Sequence, residues 1–249
     1  MKGVILAAFG GEKLLPLTLA VPKHLLPVYD KPMVYYPFEL LVRAGIKDVL
    51  VITNKKHQPL FKEALKNGEE LGVNLSYLTQ EAPDGIAYAI SLAGDYIGDD
   101  SVCVITGDTI LFGESINTYV LRAINALKRS GSATVFVKRD LNKEQFGRVV
   151  LNNKGQCQSI EGVSEAYNYG SIVGLYVFPA DVAKRAKLLS SSYRGRKEIT
   201  DLFSMYYEEN RLQVLNLDND VSWFDTNSPD SILRCSNYLF SNKKNNYDC

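Results

Sequence analysis

Carboxylates and cations that could handle phosphate groups follow apolar runs in this sequence. The run VCVIT ends at Thr106, and Asp108 comes two residues later, after a glycine. A carboxylate at the end of a buried strand can hold a hard cation such as Mg²⁺ together with the phosphates of a substrate. The same residue could instead cap the turn that follows, and the local pattern leaves these two interpretations evenly balanced.

A turn after the first apolar run is a second candidate for phosphate binding. Residues 4–7 form a short apolar run, Gly10 and Gly11 follow it, and Lys13 comes just after. A glycine turn after a strand can present backbone N–H groups to phosphate, and a nearby cation completes such a site. A plain connection between a strand and a helix explains the two glycines about as well.

The elements that must position these residues are short apolar runs alternating with helix-like segments. The runs predict strands at 4–7, 48–53, 75–79, 102–106, 133–138, 147–151 and 172–178, with a further one at LQVLNL. The intervening patterns predict helices at 33–44, 58–67, 86–93, 116–128 and 198–210. Strands that alternate with helices imply right-handed βαβ crossovers and a mostly parallel sheet covered on both faces. We therefore expect an α/β fold with a Rossmann-like, mostly parallel mixed sheet flanked by helices.

Composition limits the classes of partner. The chain has 249 residues, and its 28 basic residues balance its 28 acidic ones, so no bulk field favours nucleic acid or an anionic membrane. The four cysteines are scattered without a C-x-x-C pair, which argues against a zinc site or a disulfide framework. We expect one domain over residues 1–240 and a polar tail over 241–249. With no signal peptide or spanning segment expected, we place the protein in the cytoplasm.

Residues 21–37 read VPKHLLPVYDKPMVYYP and, with the opening of the chain, resemble the sugar-1-phosphate nucleotidyltransferases. The closest resemblance is to the glucose-1-phosphate thymidylyltransferases, which open LAGGxGTRLxPxT and continue K-x-LLP-x-x-x-KPM-x-YYP. It extends to about residue 238 and implies the nucleotide-diphospho-sugar transferase type of fold. The implied reaction is attack of a sugar-1-phosphate oxygen on the α-phosphorus of dTTP or a related nucleotide, with release of pyrophosphate. Because the family commonly forms dimers or tetramers, the resemblance also implies a homo-oligomer.

The resemblance assigns roles to individual residues. Asp108 in TGDTILFG and Asp225 in VSWFDTNSPDS match the family's metal ligands, which implies Mg²⁺ as the cofactor. Lys23 matches a lysine near the α-phosphate, and Lys13 stands where an arginine clamps the triphosphate. The other positions assigned by the resemblance are Ala8, Gly10, Gly11, Gln80 and Gly85 for the nucleotide, and Gly147, Gly174 and Arg194 for the sugar phosphate; Ala8 stands where the family has a glycine.

Other positions of these motifs are expected to be structural or depart from the family. Arg194 lies in RGRKEITD, which resembles the family's RGExEITD; Glu198 and Asp201 there are expected to be first-turn residues of a helix. His24 is expected to border the loop at Lys23. Asn227 replaces a glycine of the family motif, which predicts a different local backbone.

Departures near the expected phosphates leave two hypotheses open. Phe9 replaces a glycine, and its ring would collide with phosphate unless it points away. Gly162 and Val163 replace a glutamate and a lysine of the family's EEKP motif. The first hypothesis is a nucleotidyltransferase with altered substrate handling or a reduced rate. The second is a catalytically silent homologue that binds nucleotide or sugar phosphate, or an active relative, as a regulator or scaffold.

Overall fold

The computed structural model describes residues 1–139, 147–151, 157–161, 169–192 and 195–244. Its strands are β1 Lys2–Ala7, β2 Pro27–Val28, β3 Lys31–Pro32, β4 Asp48–Thr53, β5 Asn74–Thr79, β6 Val102–Thr106, β7 Ile110–Phe112, β8 Ala133–Lys138, β9 Arg148–Leu151, β10 Cys157–Glu161, β11 Tyr169–Phe178, β12 Leu212–Asn216 and β13 Ser222–Phe224. Its α-helices are α1 Tyr35–Arg43, α2 Gln58–Leu65, α3 Ile86–Leu92, α4 Gly94–Ile97, α5 Ile116–Ser130, α6 Val182–Leu188, α7 Ile199–Glu208 and α8 Pro229–Lys244. No helix in these ranges is both long and apolar enough to cross a membrane.

A mixed sheet in the order β10-β9-β11-β6-β1-β4-β5 forms the centre of the molecule, and β8 pairs with both β11 and β12. The strands from β6 to β5 are parallel, whereas β11 runs antiparallel to β6, β8 and β9. Helices cover the sheet, so the expected fold class is confirmed. The parallel register brings the carboxyl ends of β1 and β6 side by side, with Leu6 opposite Thr106.

Apolar side chains on both faces of the sheet explain why β1 and β6 read as continuous apolar runs. Val4 and Val104 belong to one buried cluster, and Ile5 and Ile105 belong to another. Successive residues of a strand point to opposite faces, so each cluster fills one side of the sheet. The loops that follow β1 and β6 are therefore carried by strands that are buried on both faces.

Three helices escaped the sequence-based prediction, namely the four-residue α4, α6 and α8. The seven-residue α6 is too short to show a clear helical period. The longer α8 buries Cys235 and Leu239 but leaves Leu233 and Phe240 61% and 45% exposed, so its apolar pattern is blurred. It continues to Lys244, into the segment expected as a tail.

An ionic network ties α6 to α7 and thereby fixes the helix that begins at the candidate site. Arg185 Nε donates to Asp181 Oδ2 at 2.7 Å, and the Tyr206 hydroxyl donates to Asp181 Oδ1 at 2.8 Å. Arg185 also makes two hydrogen bonds to the Glu209 carboxylate, at 2.7 and 2.8 Å. Arg211 joins the same carboxylates at 3.3 and 3.2 Å.

The ionic network between α6 and α7 should weaken as the pH falls. Burial by itself raises the pKa of Asp181, but hydrogen bonds from Arg185 and Tyr206 and the charges of Arg185 and Arg211 lower it overall. Its stabilising contribution is complete above the unfolded pKa of about 4 and is lost as the pH falls through the lower folded pKa.

We expect Asp181→Asn to lower the free energy of unfolding at pH 7 by about 1 kcal/mol, a figure already reduced for partial exposure. Urea unfolding at pH 7 and pH 3 measures this, and the difference between variant and wild type should shrink at pH 3. The exposed Asp99→Asn change is the control. Equal losses at both pH values would show that the charge of Asp181 contributes nothing.

Candidate active site

A cavity of about 690 Å³ opens at the carboxyl end of β6. Its wall includes Asp108 from the loop after β6, Gly174 from the middle of β11 and Asp225 from the loop after β13. The start of α7 forms another side, with Glu198 and Asp201. The cavity therefore lies where ligands bind in open α/β sheets, outside the carboxyl ends of the strands.

Lys23 is the most deeply buried charged side chain at this site, with an exposure of 1%. It lies on a short 3₁₀-helix, Lys23–Leu25, and its Nζ donates to Asp108 Oδ2 at 2.6 Å. The same nitrogen donates to Asn227 Oδ1 at 2.7 Å. A buried ammonium is tolerated only when it is paired and hydrogen-bonded, and these two acceptors meet that requirement.

Asp108 is held in its ionised form. Burial alone would raise its pKa, but the charge of Lys23, then that of His24, and hydrogen bonds from Lys23 and Thr106 hold the pKa at about 2. The carboxylate still has 29% of its side chain accessible. Asp108 is consequently a permanent anion on the cavity wall at any physiological pH.

The loop after β13 is fastened to the loop after β6. The Thr226 hydroxyl donates to the Asp108 carbonyl at 3.1 Å, and the Asn227 backbone N–H donates to Asp225 Oδ1 at 3.0 Å. These bonds bring the two predicted metal ligands, Asp108 and Asp225, onto the wall of one cavity.

Two carboxylates in this position suit a hard cation that keeps several waters or phosphate oxygens as ligands. Magnesium is commonly bound in this way, through one or two carboxylates plus substrate phosphates. In the described ranges no group of three or more histidine, cysteine or acidic residues forms an all-protein metal cage. The donor set thus fits Mg²⁺ arriving with a phosphate ligand better than a closed structural metal site.

The glycine turn after β1 packs directly against Lys23. Gly10 and Gly11 have φ values of +109° and +111°, which residues other than glycine rarely adopt. A Cβ atom at Gly11 would lie 3.3 Å from Cβ of Lys23, and one at Gly10 would meet nothing within 4 Å. The Gly10 backbone is therefore open to a ligand, while Gly11 allows the loop to approach the lysine.

Three residues next to this turn, Phe9, Ala8 and Lys13, were singled out in the sequence. The Phe9 ring is partly buried against the apolar cluster that contains Leu6 and Ala8, and it is not among the described residues of the cavity wall. Ala8 is buried, and its carbonyl accepts a hydrogen bond from Asn54 at 2.9 Å. Lys13 is exposed at the rim of the turn.

The two residues expected to read the base have structural contacts of their own. Gln80 is 4% exposed, and its Nε2 donates to the Ala82 carbonyl at 2.8 Å. Gly85 has a φ of +100° and begins α3, and a Cβ there would overlap the carbonyl oxygen of Lys197. The cavity wall reaches the next residue, Ile86.

On the opposite side, Gly147 and Gly174 both line the cavity. Gly174 has a φ of +83°, and a Cβ there would lie 2.5 Å from the Thr109 hydroxyl and 2.6 Å from that of Thr106. Only glycine fits at that point of β11. Arg194 lies outside the described residues.

Several wall residues were absent from the predicted site. Asp201 lies in the first turn of α7, as expected, whereas Glu198 is the N-cap residue just before it, and both line the cavity. Arg196 and Asn227 line it as well. Their motifs, RGRKEITD and DTNS, drew attention in the sequence, but no local pattern indicates which of their side chains turn inwards.

His24 borders the loop at Lys23. It is 3% exposed, and burial, together with the charges of Lys23 and His57, lowers its pKa to about 4 against the opposing effect of Asp108. The imidazole is therefore neutral at neutral pH. A Cβ atom at Gly107 would lie 2.9 Å from its Cδ2, which places the ring under the turn that carries Asp108.

A family model described as nucleotidyl transferase matches residues 2–242. The chain belongs to the nucleotidyl transferase family. A glucose-1-phosphate thymidylyltransferase of Neisseria meningitidis is 40% identical over 240 residues, covering 96% of this chain and 82% of the relative. One from Mycobacterium tuberculosis is 39% identical over 241 residues, with the same coverage.

One solved structure supports the same family membership, and a second shares the fold. A Bacillus anthracis chain, described as a glucose-1-phosphate thymidylyltransferase in complex with sucrose, superposes with a TM-score of 0.87 at 31% identity. The superposition covers 96% of this chain and 94% of that chain. A UDP-glucose pyrophosphorylase complexed with UDP-glucose superposes with a TM-score of 0.83 over 97% and 98% of the two chains. At 19% identity, this second likeness shows the fold alone.

The contact between Gly85 and Lys197 gives a stability prediction. Gly85→Ala adds a Cβ that must displace backbone and places alanine at φ +100° and ψ 170°, a region occupied essentially by glycine alone, so we expect a loss of about 2–4 kcal/mol. Gly45→Ala is the matched control, because Gly45 has a φ of +77° with nothing within 4 Å of its Cβ position. The control should lose only about 1 kcal/mol in urea unfolding. Equal losses in both variants would refute the tight contact.

Proposed function

We propose that this chain is a nucleotidyltransferase that joins a nucleoside triphosphate, dTTP, to a sugar 1-phosphate of the glucose-1-phosphate type and releases pyrophosphate. The observation that carries the proposal is that Asp108 and Asp225 line one cavity and that the buried Lys23 is bonded to Asp108 behind its wall. Named thymidylyltransferases that align over 96% of the chain support the choice of dTTP and glucose 1-phosphate. These relatives disfavour the alternative of a silent homologue, which becomes one outcome of the test.

The reaction needs charge stabilisation more than proton transfer. A phosphate monoester is largely dianionic at pH 7, so the attacking oxygen of the sugar phosphate requires no general base. This agrees with a site whose nearby histidine, His24, is buried and neutral. The obstacle is to bring an anionic nucleophile to an anionic triphosphate in the correct orientation.

Lys23 supplies a fixed positive charge for this purpose. Asp108 and Asn227 occupy two of its three N–H donors, which leaves a third for a phosphate oxygen. Because the ammonium is already held in place, little reorganisation is needed when the phosphates enter. Backbone N–H groups of the Gly10–Gly11 turn and the Lys13 ammonium complete the triphosphate side, while Gln80 and Gly85 are assigned to the base.

Asp108 and Asp225 would hold Mg²⁺, which supplies neutralisation of the charge that develops on the phosphate oxygens. The low pKa of Asp108 keeps that carboxylate available as a ligand down to about pH 3. Gly147, Gly174 and Arg194 are assigned to the sugar phosphate. A cytoplasmic location and a homo-oligomeric state complete the proposal.

Pyrophosphate release by the purified protein tests the proposal. The assay pairs dTTP or UTP with a panel of sugar 1-phosphates in the presence of Mg²⁺. We expect turnover with dTTP and glucose 1-phosphate, and its loss on addition of EDTA. A folded protein that releases no pyrophosphate with any pair would rule out the enzyme and make the silent homologue the better description.

Of the two carboxylate variants, Asp225→Asn tests the role in catalysis with less effect on stability. Asp108→Asn strands the buried Lys23 ammonium without its counter-charge and is expected to cost about 3–5 kcal/mol of stability, which confuses the interpretation. Asp225→Asn should retain the fold and lower kcat/KM at least about 100-fold. Asp99→Asn, an exposed site away from the cavity, should leave kcat/KM unchanged. Activity within a few-fold of wild type in Asp225→Asn would exclude this carboxylate from the machinery.

The Asn227 side chain shares Lys23 with the incoming phosphates. Asn227→Asp is isosteric but adds a negative charge beside Lys23, so we expect the KM for the triphosphate to rise about tenfold, equivalent to about 1.4 kcal/mol. Asn219→Asp, in an exposed turn, is the matched control. Steady-state kinetics at fixed Mg²⁺ measure the effect, and an unchanged or lower KM would place the phosphates away from Asn227.

A further inference from the structure

Arg196 introduces a positive charge into a cavity whose other ionisable wall residues are acidic. Among the described residues of the wall, the carboxylates belong to Asp108, Glu198, Asp201 and Asp225, and Arg196 is the one cation. A sugar 1-phosphate that enters this cavity is itself an anion and is repelled by the carboxylates unless cations compensate for them. The guanidinium is therefore the wall group best suited to attract the ligand.

The adjacent cation, Lys197, is hydrogen-bonded to the backbone of α6. Lys197 Nζ donates to the backbone carbonyls of Ala186 and Lys187, at 3.4 and 3.1 Å, near the end of α6. The two adjacent residues therefore differ in role, because Lys197 bonds to a helix end and Arg196 is part of the cavity wall. In the part of the chain that the structure describes, no carboxylate forms an ion pair with the Arg196 guanidinium.

Backbone hydrogen bonds fix the position of Arg196. The Ser192 N–H donates to the Arg196 carbonyl, and the Gly195 N–H donates to the Ser192 carbonyl, both at 2.8 Å. Lys197 N–H then donates to the Asp84 carbonyl at 2.7 Å, and α7 begins two residues later. The side chain is long, but it extends from an anchored position at the cavity wall.

The residue type adds chemical information. A guanidinium presents a planar fork of N–H donors that matches the two oxygens of a phosphate or a carboxylate. In the family motif RGExEITD the corresponding residue is a glutamate, so this chain reverses the charge at that position. A glutamate at this position would repel an anionic ligand, whereas Arg196 can bind one.

We propose that Arg196 binds an anionic oxygen group of the sugar substrate and determines which sugar phosphates this site accepts. The proposal rests on the nucleotidyltransferase function argued above. Two groups share the required chemistry, namely the 1-phosphate itself and a carboxylate on the sugar ring, as in a uronic acid 1-phosphate. In either case Arg196 contributes binding energy on the sugar side, whereas Lys23 serves the triphosphate side.

Calorimetric binding and steady-state kinetics test the proposal with glucose 1-phosphate and glucuronic acid 1-phosphate. We expect Arg196→Gln to weaken sugar-phosphate binding and raise its KM about tenfold, Arg196→Glu to do so more strongly, and Arg196→Lys to recover part of the loss. The KM for dTTP and the thermal midpoint should not change. Arg122→Gln, at an exposed arginine on α5, is the control.

The two sugar phosphates distinguish the sources of the anion. Equal losses for both ligands would assign Arg196 to the 1-phosphate, and a loss confined to the uronate would assign it to the ring carboxylate. Unchanged binding of both ligands in Arg196→Gln, or no binding of either by the wild type, would overturn the proposal. Because calorimetry needs no turnover, an inactive wild type that binds sugar phosphate through Arg196 would refute the enzyme without refuting this contact.

Discussion

The buried ammonium of Lys23 is the constraint around which the site is organised. A charged group with 1% exposure is stable only if hydrogen-bond acceptors lie within reach of it. Here the acceptors are Asp108 and Asn227, which are 85 and 204 positions away along the chain. The loop after β6 and the loop after β13 must therefore close over the 3₁₀-helix at Lys23. The hydrogen bond from Thr226 to the Asp108 carbonyl holds the two loops together. The position of both carboxylates follows from satisfying one cation.

The long strand β11 shows why this closure is possible in a mixed sheet. It pairs with β6, β8 and β9, so it connects the parallel half of the sheet to the antiparallel half. At Gly174 its backbone turns away from ordinary strand geometry, and the absence of a side chain leaves room for the hydroxyls of Thr106 and Thr109. Thr106 and Thr109 lie on either side of Asp108. Gly174 of β11 therefore shapes the loop that follows the neighbouring strand β6.

The fold was largely predictable because β1, β4 and β6 are buried on both faces and carry unmistakable apolar runs. Helix α8 was missed because its buried side is narrow and its exposed side still carries Leu233 and Phe240. At the site, Asp108 could be identified as the residue after a strand end. Its partnership with Lys23 could not be, since a contact across 85 residues leaves no local signal. Asn227 was expected to change only the backbone, yet its side chain is a ligand of the buried lysine.

The hydrogen bond from the Lys197 N–H to the Asp84 carbonyl joins the two halves of the cleft. Asp84 belongs to the loop assigned to the base, and Lys197 follows directly on Arg196 at the sugar side. A displacement of either segment would have to break this hydrogen bond or carry the other segment with it. If the base and the sugar phosphate bind as proposed, this hydrogen bond would link the affinities for the two substrates, and such a coupling acts equally in both directions.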